Sequence, residues 1–152
     1  IQGVERRARP RIARVIAGPV SFLYAGLLGL LLIALSAQVS LTRRRLRVML
    51  GAGAEEGMRQ AIRVQANFVE YVPFAVLLLV LAEISGLPAG AVHGAGLLLV
   101  VSRIAHAIGL SQNPGRSFGR FYGTAGTWLV IVALSLWLLW ATTAASRFPA
   151  PG

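Results

Sequence analysis

The sequence contains no cysteine, no lysine and no aspartate. The lack of cysteine excludes disulfides, a thiolate nucleophile and a cysteine metal site. Charged residues make up only 13% of the 152 residues, whereas soluble domains carry about 25%. The 15 cationic residues are all Arg and the five acidic residues are all Glu, which gives a net charge of +10. The chain is therefore poor in the groups that keep a protein in water, and its length fits one domain.

Hydrophobic residues account for 56% of the chain, and they fall into four long apolar stretches. Each stretch reaches the roughly 20 residues that an α-helix needs to span a bilayer. The predicted spans are Pro19–Leu41, Glu55 or Glu56 to Ile84, Pro88–Leu110 and Arg120–Ala145. We therefore predict an all-α polytopic membrane protein, a bundle of four transmembrane helices. The predicted divisions are a basic N-terminal arm (1–16), the membrane domain (17–146) and a C-terminal tail (147–152).

The positive charge lies mostly in short segments between the apolar stretches. In a soluble protein a charge of +10 would suggest nucleic acid, but this placement is typical of membrane proteins, and we predict no nucleic-acid partner. We interpret one cluster as a stop-transfer and headgroup-binding signal that ends the first helix: Arg43, Arg44, Arg45 and Arg47. The distribution of charge does not settle the orientation in the membrane. One side would hold six Arg and the other side seven.

Polar residues also occur inside the predicted spans. Spacings of four, four and three place four of them on one face of the second helix: Arg59, Arg63, Asn67 and Glu70. Arg103 and His106 share a face of the third helix. A charge at the centre of a membrane helix costs about 2.5–3.5 kcal/mol, so Glu70 and Arg103 each need a partner. The simplest candidates are a salt bridge between them or a bound polar ligand.

Simpler interpretations stay open for each of these residues. The two arginines near the start of the second helix can extend their side chains to the membrane surface. A Glu70–Arg103 pair can be a purely structural strut. A lone His106 is more often packed and hydrogen-bonded than catalytic, and we assign Glu83 and His93 no special role.

Three separate stretches resemble motifs of the MAPEG family, the membrane-associated proteins in eicosanoid and glutathione metabolism. They are RVQANFVEYVP (63–73) in the second helix, RIAHAIGL (103–110) in the third helix and RFYGTAGTW (120–128) at the start of the fourth. The resemblance covers about Pro19–Ala145, in order and with matching loop lengths. The chain looks similar to the small bacterial inner-membrane members, so we expect a multi-pass protein of the bacterial inner membrane.

The resemblance implies a homotrimer of left-handed four-helix bundles, with glutathione bound as co-substrate between neighbouring subunits. It also implies that the first and third loops face the cytoplasm. Carried over by position, it assigns Arg120 to stabilising the glutathione thiolate, with Arg116 as the fallback. It assigns glutathione binding to residues of three helices: Arg43, Arg63, Asn67, Glu70, Tyr71, Arg103 and His106. This sequence departs from many eicosanoid members, which have Tyr where it carries His106 or Leu110, and it has Gln65 where His is commoner.

Two functions remain from this reasoning. The leading hypothesis is a glutathione-dependent membrane transferase or peroxidase that acts on lipophilic electrophiles. The alternative is a non-catalytic MAPEG-like protein, either a lipid-binding module or a small subunit of a larger membrane complex. The basic arm, Arg6–Arg14, favours the alternative slightly, because it could bind anionic lipid or a partner. We predict no metal site.

Overall fold

The computed structural model describes residues 19–112, 115 and 117–147, with side chains as far as residue 143. These ranges hold four helices: α1 (Val20–Leu46), α2 (Glu56–Ile84), α3 (Ala89–Gln112) and α4 (Phe118–Arg147). All four are long and apolar enough to cross a membrane, which confirms the predicted all-α membrane bundle. The predicted basic arm (1–16) and residues 148–152 of the predicted tail lie outside the described residues.

The first helix continues five residues beyond the predicted end at Leu41 and includes most of the arginine cluster. The predicted end at Leu41 was therefore five residues short, although the helix does end within the predicted cluster, at its last arginine. Arginines in the last turn favour a helix, because their charge complements the partial negative charge of its C-terminus. The helix ends instead where Arg47 adopts the left-handed conformation, with φ of 54° and ψ of 35°. The N–H groups of Arg47 and Val48 then donate to the carbonyls of Arg44 and Arg43.

The middle helices α2 and α3 hold the bundle together. Each packs against the other and against both outer helices, whereas α1 and α4 do not touch. The contact between α3 and α4 is the most extensive. A Cβ at Gly109 would lie 2.7 Å from the backbone nitrogen of Arg120, and one at Gly119 would lie 2.6 Å from the Ala105 carbonyl oxygen. Glycine therefore lets these two backbones approach closely, as is typical of membrane helices.

The N-terminus of α1 is capped by the distant C-terminal end of α2. The Glu83 carboxylate accepts hydrogen bonds from the backbone N–H groups of Val20 at 2.7 Å and Ser21 at 2.9 Å. The first N–H groups of a helix have no partner within it, and a carboxylate also complements the positive end of the helix dipole. Assigning Glu83 no role was therefore wrong, because it joins the first two helices at this end.

The same end is also closed by a contact between α1 and α3. The Tyr24 hydroxyl lies 2.9 Å from His93 Nδ1, which gives His93 a structural role too. The Tyr24 ring lies directly against Gly96, where a Cβ would overlap it. On the other side of the bundle, the indole N–H of Trp137 donates to the Ser85 hydroxyl at 2.8 Å. Glu83, Tyr24, His93 and Trp137 are thus all hydrogen-bonded within the chain at this end, whereas the buried Ser21 hydroxyl has no hydrogen-bond partner among the described residues.

Candidate functional site

Arg103 lies inside the bundle, on the face of α3 between α2 and α4, and only 2% of its surface is exposed. Its Nη1 donates to the Asn67 side-chain oxygen at 3.0 Å, and its Nη2 donates to the Gly123 carbonyl at 3.1 Å. The guanidinium carbon lies 5.9 Å from the centre of the Tyr71 ring, within reach of a cation–π interaction. One arginine therefore links three helices through Asn67, Tyr71 and Gly123.

The proposed salt bridge between Glu70 and Arg103 is not formed in this chain. Asn67 and Tyr71 are four residues apart, so they lie one above the other on the face that meets Arg103. Glu70 immediately precedes Tyr71 and is rotated about 100° from it around the helix axis. Its side chain is exposed on the outside of the bundle. The direct pair was therefore a wrong interpretation, and a bound polar ligand remains the open alternative for Glu70.

Arg63 and Glu70 form a charged surface on the outer face of α2. Both side chains are exposed, and neither has a hydrogen-bond or ion-pair partner within the described part of the chain. Glu70 is the midpoint of the 29-residue helix, about 21 Å from either end at 1.5 Å per residue. Phe74 and Leu77 continue the same exposed face toward the other end. The outer face of α2 is thus charged in one half and apolar in the other.

His106 and Leu110 face the interior of the bundle, with exposed fractions of 4% and 5%. His106 packs beside Gly123, where a Cβ would lie 2.7 Å from the histidine Cβ. The sequence assigned His106 to glutathione binding, but within one chain it lies in the packing layer between α3 and α4. It therefore does not share the outer surface that carries Glu70.

Arg43 and Gln65 lie near the boundary between α1 and α2. Arg43 Nη1 donates to the Gly51 carbonyl at 2.9 Å and to the Val48 carbonyl at 3.5 Å. Gln65 donates to the Ser36 hydroxyl at 3.0 Å. Arg43 therefore holds the loop after α1, and Gln65 joins the first two helices. The motif match alone did not indicate either contact.

Arg120 lies at the start of α4, exposed, with Nη1 donating to the Gly115 carbonyl at 3.3 Å. It borders an open groove of about 900 Å³. Residues at and just before the start of α4 line this groove: Ser117, Phe118, Arg120, Phe121, Tyr122, Thr124, Ala125 and Trp128. This surface was not predicted from the sequence, although the aromatic spacing of three, four and seven residues indicates one face of a helix. The fallback residue Arg116 lies outside the described residues.

A single chain thus brings only part of the predicted site together. Arg103, Asn67 and Tyr71 form one cluster, whereas Arg63 and Glu70 point outward from α2. Arg120 belongs to a groove on α4 that no α2 residue lines. In the described part of the chain, no three His or Glu side chains come together as metal ligands. The charged face of α2 suits an anionic or zwitterionic organic ligand, and the groove at the start of α4 suits an apolar one.

The fold and these side chains define a polytopic four-helix membrane protein with charged groups at membrane depth. The MAPEG family model matches residues 21–140. The chain is 36% identical over 121 residues to the inner membrane protein YecN of Escherichia coli K12, covering 80% of this chain and 91% of that protein. YecN of Escherichia coli O6:H1 matches with the same values. The chain belongs to the MAPEG family, and it is a multi-pass inner-membrane protein.

Proposed function

We propose that this MAPEG protein is a glutathione-dependent transferase or peroxidase that acts on lipophilic electrophiles from the bilayer. One observation carries the proposal: Arg63 and Glu70 are exposed on the outer face of a membrane-spanning helix. A charged side chain near the centre of such a helix costs about 2.5–3.5 kcal/mol when it meets lipid. Charged residues within membrane helices therefore indicate a functional site, and a polar ligand would offset their cost.

Glutathione has the charge pattern that complements this face. It carries two carboxylates and one ammonium group, so it can pair with arginines and with one glutamate at the same time. Arginine is well suited to carboxylates, because its planar guanidinium forms paired hydrogen bonds to them. In the proposed complex, Arg63 binds a carboxylate of the tripeptide and Glu70 binds its ammonium group. The buried Arg103 holds Asn67 and Tyr71 in place behind that face.

We propose that the catalytic site forms between neighbouring subunits of a homotrimer. The charged face of α2 is exposed, and the groove beside Arg120 is lined from the α4 segment alone and is open. A neighbouring copy would cover both surfaces and place a charged half-site against an aromatic one. This arrangement would shield Glu70 from lipid while keeping the groove accessible from the bilayer.

Arg120 would stabilise the reactive sulfur in this site. A cation beside a thiol lowers its pKa from about 8.5 and raises the thiolate fraction at neutral pH. The thiolate would attack an electrophilic carbon, forming a C–S bond while the leaving group departs with the bonding electrons. With a hydroperoxide, the sulfur would attack the terminal oxygen and the O–O bond would break. The alkoxide takes up a proton from solvent and leaves as the alcohol, which leaves a sulfenic acid on the glutathione sulfur. The thiol of a second glutathione then attacks that sulfur, forming the disulfide and releasing water.

The direct test is the ultraviolet absorbance of glutathione thiolate bound to detergent-purified protein at neutral pH. We expect a thiolate signal in the wild type, together with glutathione conjugation or peroxidase turnover. Arg120→Ala should remove the signal and the turnover while much of the glutathione binding is retained. Arg59→Ala is the matched control, because Arg59 is an exposed arginine at the same end of the bundle. A thiolate signal that survives Arg120→Ala would contradict the assigned role.

One observation favours the non-catalytic alternative. Many eicosanoid members have tyrosine where this chain has His106 or Leu110, and both of these residues lie inside the bundle. Neither position therefore supplies a hydroxyl donor to an outer site in the single chain. Glutathione binding without thiolate or turnover would favour a lipid-binding module. Absence of glutathione binding would favour a small subunit of a larger complex, with the basic arm as the surface to examine first.

A further inference from the structure

The sequence marks the arginines after α1 as a headgroup-binding signal, and we propose that the turn they form selects anionic phospholipids over zwitterionic ones. We call it the arginine turn, and we define it by five residues: Arg44, Arg45, Arg47, Met49 and Leu50. All five side chains are exposed. This inference is independent of glutathione binding, because none of the five residues belongs to the proposed glutathione site.

The backbone at Arg47 is the first reason. Its φ of 54° and ψ of 35° place it in the left-handed region just after a helix, where glycine is the usual residue. A Cβ strains that conformation, so a non-glycine residue there marks a position where the side chain has a use. Arg47 is the one described residue other than glycine with a positive φ. Its exposed guanidinium is therefore the group to explain.

The depth of the turn is the second reason. The 27 residues of α1 give a length of about 40 Å at 1.5 Å per residue. The hydrocarbon core of a bilayer is about 30 Å thick, and the headgroup regions bring the total to about 40–45 Å. The stretch Val20–Thr42 is uncharged and fits the core. Arg44, Arg45 and Arg47 then lie at the level of the lipid phosphates.

The composition of the turn is the third reason. Met49 and Leu50 are 93% and 90% exposed, directly after the arginines. Basic residues beside exposed apolar residues bind membrane surfaces, because the cations attract anionic headgroups while the apolar groups enter the acyl boundary. Arg43 has a different task, since its guanidinium donates to the carbonyls of Val48 and Gly51 and shapes the turn. Charge complementarity thus points to phospholipid phosphate.

The absence of cysteine in the chain allows a clean test. Ala54 is exposed in the same loop, so Ala54→Cys can carry an environment-sensitive fluorophore without touching the arginine turn. The labelled full-length protein in detergent is titrated with phosphatidylglycerol or with phosphatidylcholine. We expect a saturable spectral change with phosphatidylglycerol and little change with phosphatidylcholine. An arginine near a membrane surface contributes about a factor of five in affinity, so Arg45→Gln/Arg47→Gln should bind phosphatidylglycerol roughly 25-fold more weakly.

Arg47→Gly separates binding from folding. Glycine removes the backbone strain, so this variant should melt at least as high as the wild type and yet bind phosphatidylglycerol about fivefold more weakly. Arg59→Gln is the matched charge control and should have a smaller effect, because Arg59 lies outside the arginine turn. Equal responses to both lipids would overturn the proposal. Unchanged binding in the double variant, or an equal loss in Arg59→Gln, would also overturn it.

Discussion

The two halves of the bundle differ, because only one of them leaves charged residues of a membrane-spanning helix without a partner in the described part of the chain. In the half that contains the N-terminus of α1, the Glu83 carboxylate caps that helix, Tyr24 pairs with His93, and Trp137 binds Ser85. We call this the capped half. In the other half, which contains the loop after α1, Arg63 and Glu70 are exposed and have no partner within the described part of the chain. We call this the cationic half.

This difference separates residues that build the fold from residues that are available to a ligand. Polar groups that are hydrogen-bonded within the chain fix how the helices pack against one another. Charged side chains without a partner raise the free energy of a membrane protein unless a ligand or a neighbouring subunit binds them. Arg103 belongs to the first group, because its two terminal nitrogens are bonded inside the bundle, although its Nε is buried without a hydrogen-bond partner among the described residues.

The largest expected loss of stability follows removal of the buried arginine. Arg103→Ala should lower the free energy of unfolding by about 3 kcal/mol, because a hydrogen bond to a charged group contributes about 1.5–3 kcal/mol and Arg103 makes two. Arg63→Ala should not lower it, because Arg63 makes no bond within the described part of the chain and an unpartnered charge in the membrane is costly. Unfolding in detergent, followed by circular dichroism, measures both. Equal losses of unfolding free energy in the two variants would contradict the distinction between Arg103, which is bonded within the chain, and Arg63, which is not.

The next largest effect should come from filling the contact between α1 and α3 in the capped half. Gly96→Ala places a methyl group against the Tyr24 ring, and such overpacking costs about 1–3 kcal/mol. Gly94→Ala is the matched control in the same helix, since nothing lies within 4 Å of a Cβ there. The melting temperature should fall for Gly96→Ala only. A Gly96→Ala protein as stable as the control would show that this end of the bundle is loosely packed.

A smaller effect is expected at the cap of α1. Glu83→Ala removes the acceptor for the N–H groups of Val20 and Ser21 and should cost about 1 kcal/mol, within the range measured for helix caps. Glu55→Ala is the control, because Glu55 begins α2 without a side-chain cap bond. Comparing the two unfolding curves isolates the capping bond from the loss of one negative charge. If both curves shift equally, the cap contributes nothing.

Most of the fold could be predicted from the sequence because uncharged runs of about 20 residues leave little choice but a membrane helix. The start of α2 at Glu56 was predicted to within one residue. The end of α1 was not predicted correctly, because the long side chain of Arg43 can reach the membrane surface without breaking the helix. The same reasoning applies to Arg44 and Arg45, which remain helical.

The site was harder to predict than the fold. The spacing of Asn67 and Glu70 placed both on one face of α2, but a helix face is wide enough for one residue to point inward and the other outward. Which of them meets Arg103 depends on how α2 is rotated against α3, and helical spacing does not specify that rotation. The cap by Glu83 joins residues more than 60 positions apart, and no local pattern marks such a contact.

The central claim is that Arg63 and Glu70 on the outer face of α2 bind glutathione. Calorimetry of glutathione binding to the detergent-purified protein tests this claim most directly. Glu70→Ala should be no less stable than the wild type, since Glu70 makes no bond within the described part of the chain, but it should bind glutathione at least tenfold more weakly. That loss corresponds to one charge-assisted hydrogen bond of about 1.5–3 kcal/mol. Glu55→Ala should bind like the wild type. Equal glutathione affinity in wild type and Glu70→Ala, or no binding by the wild type, would contradict the claim.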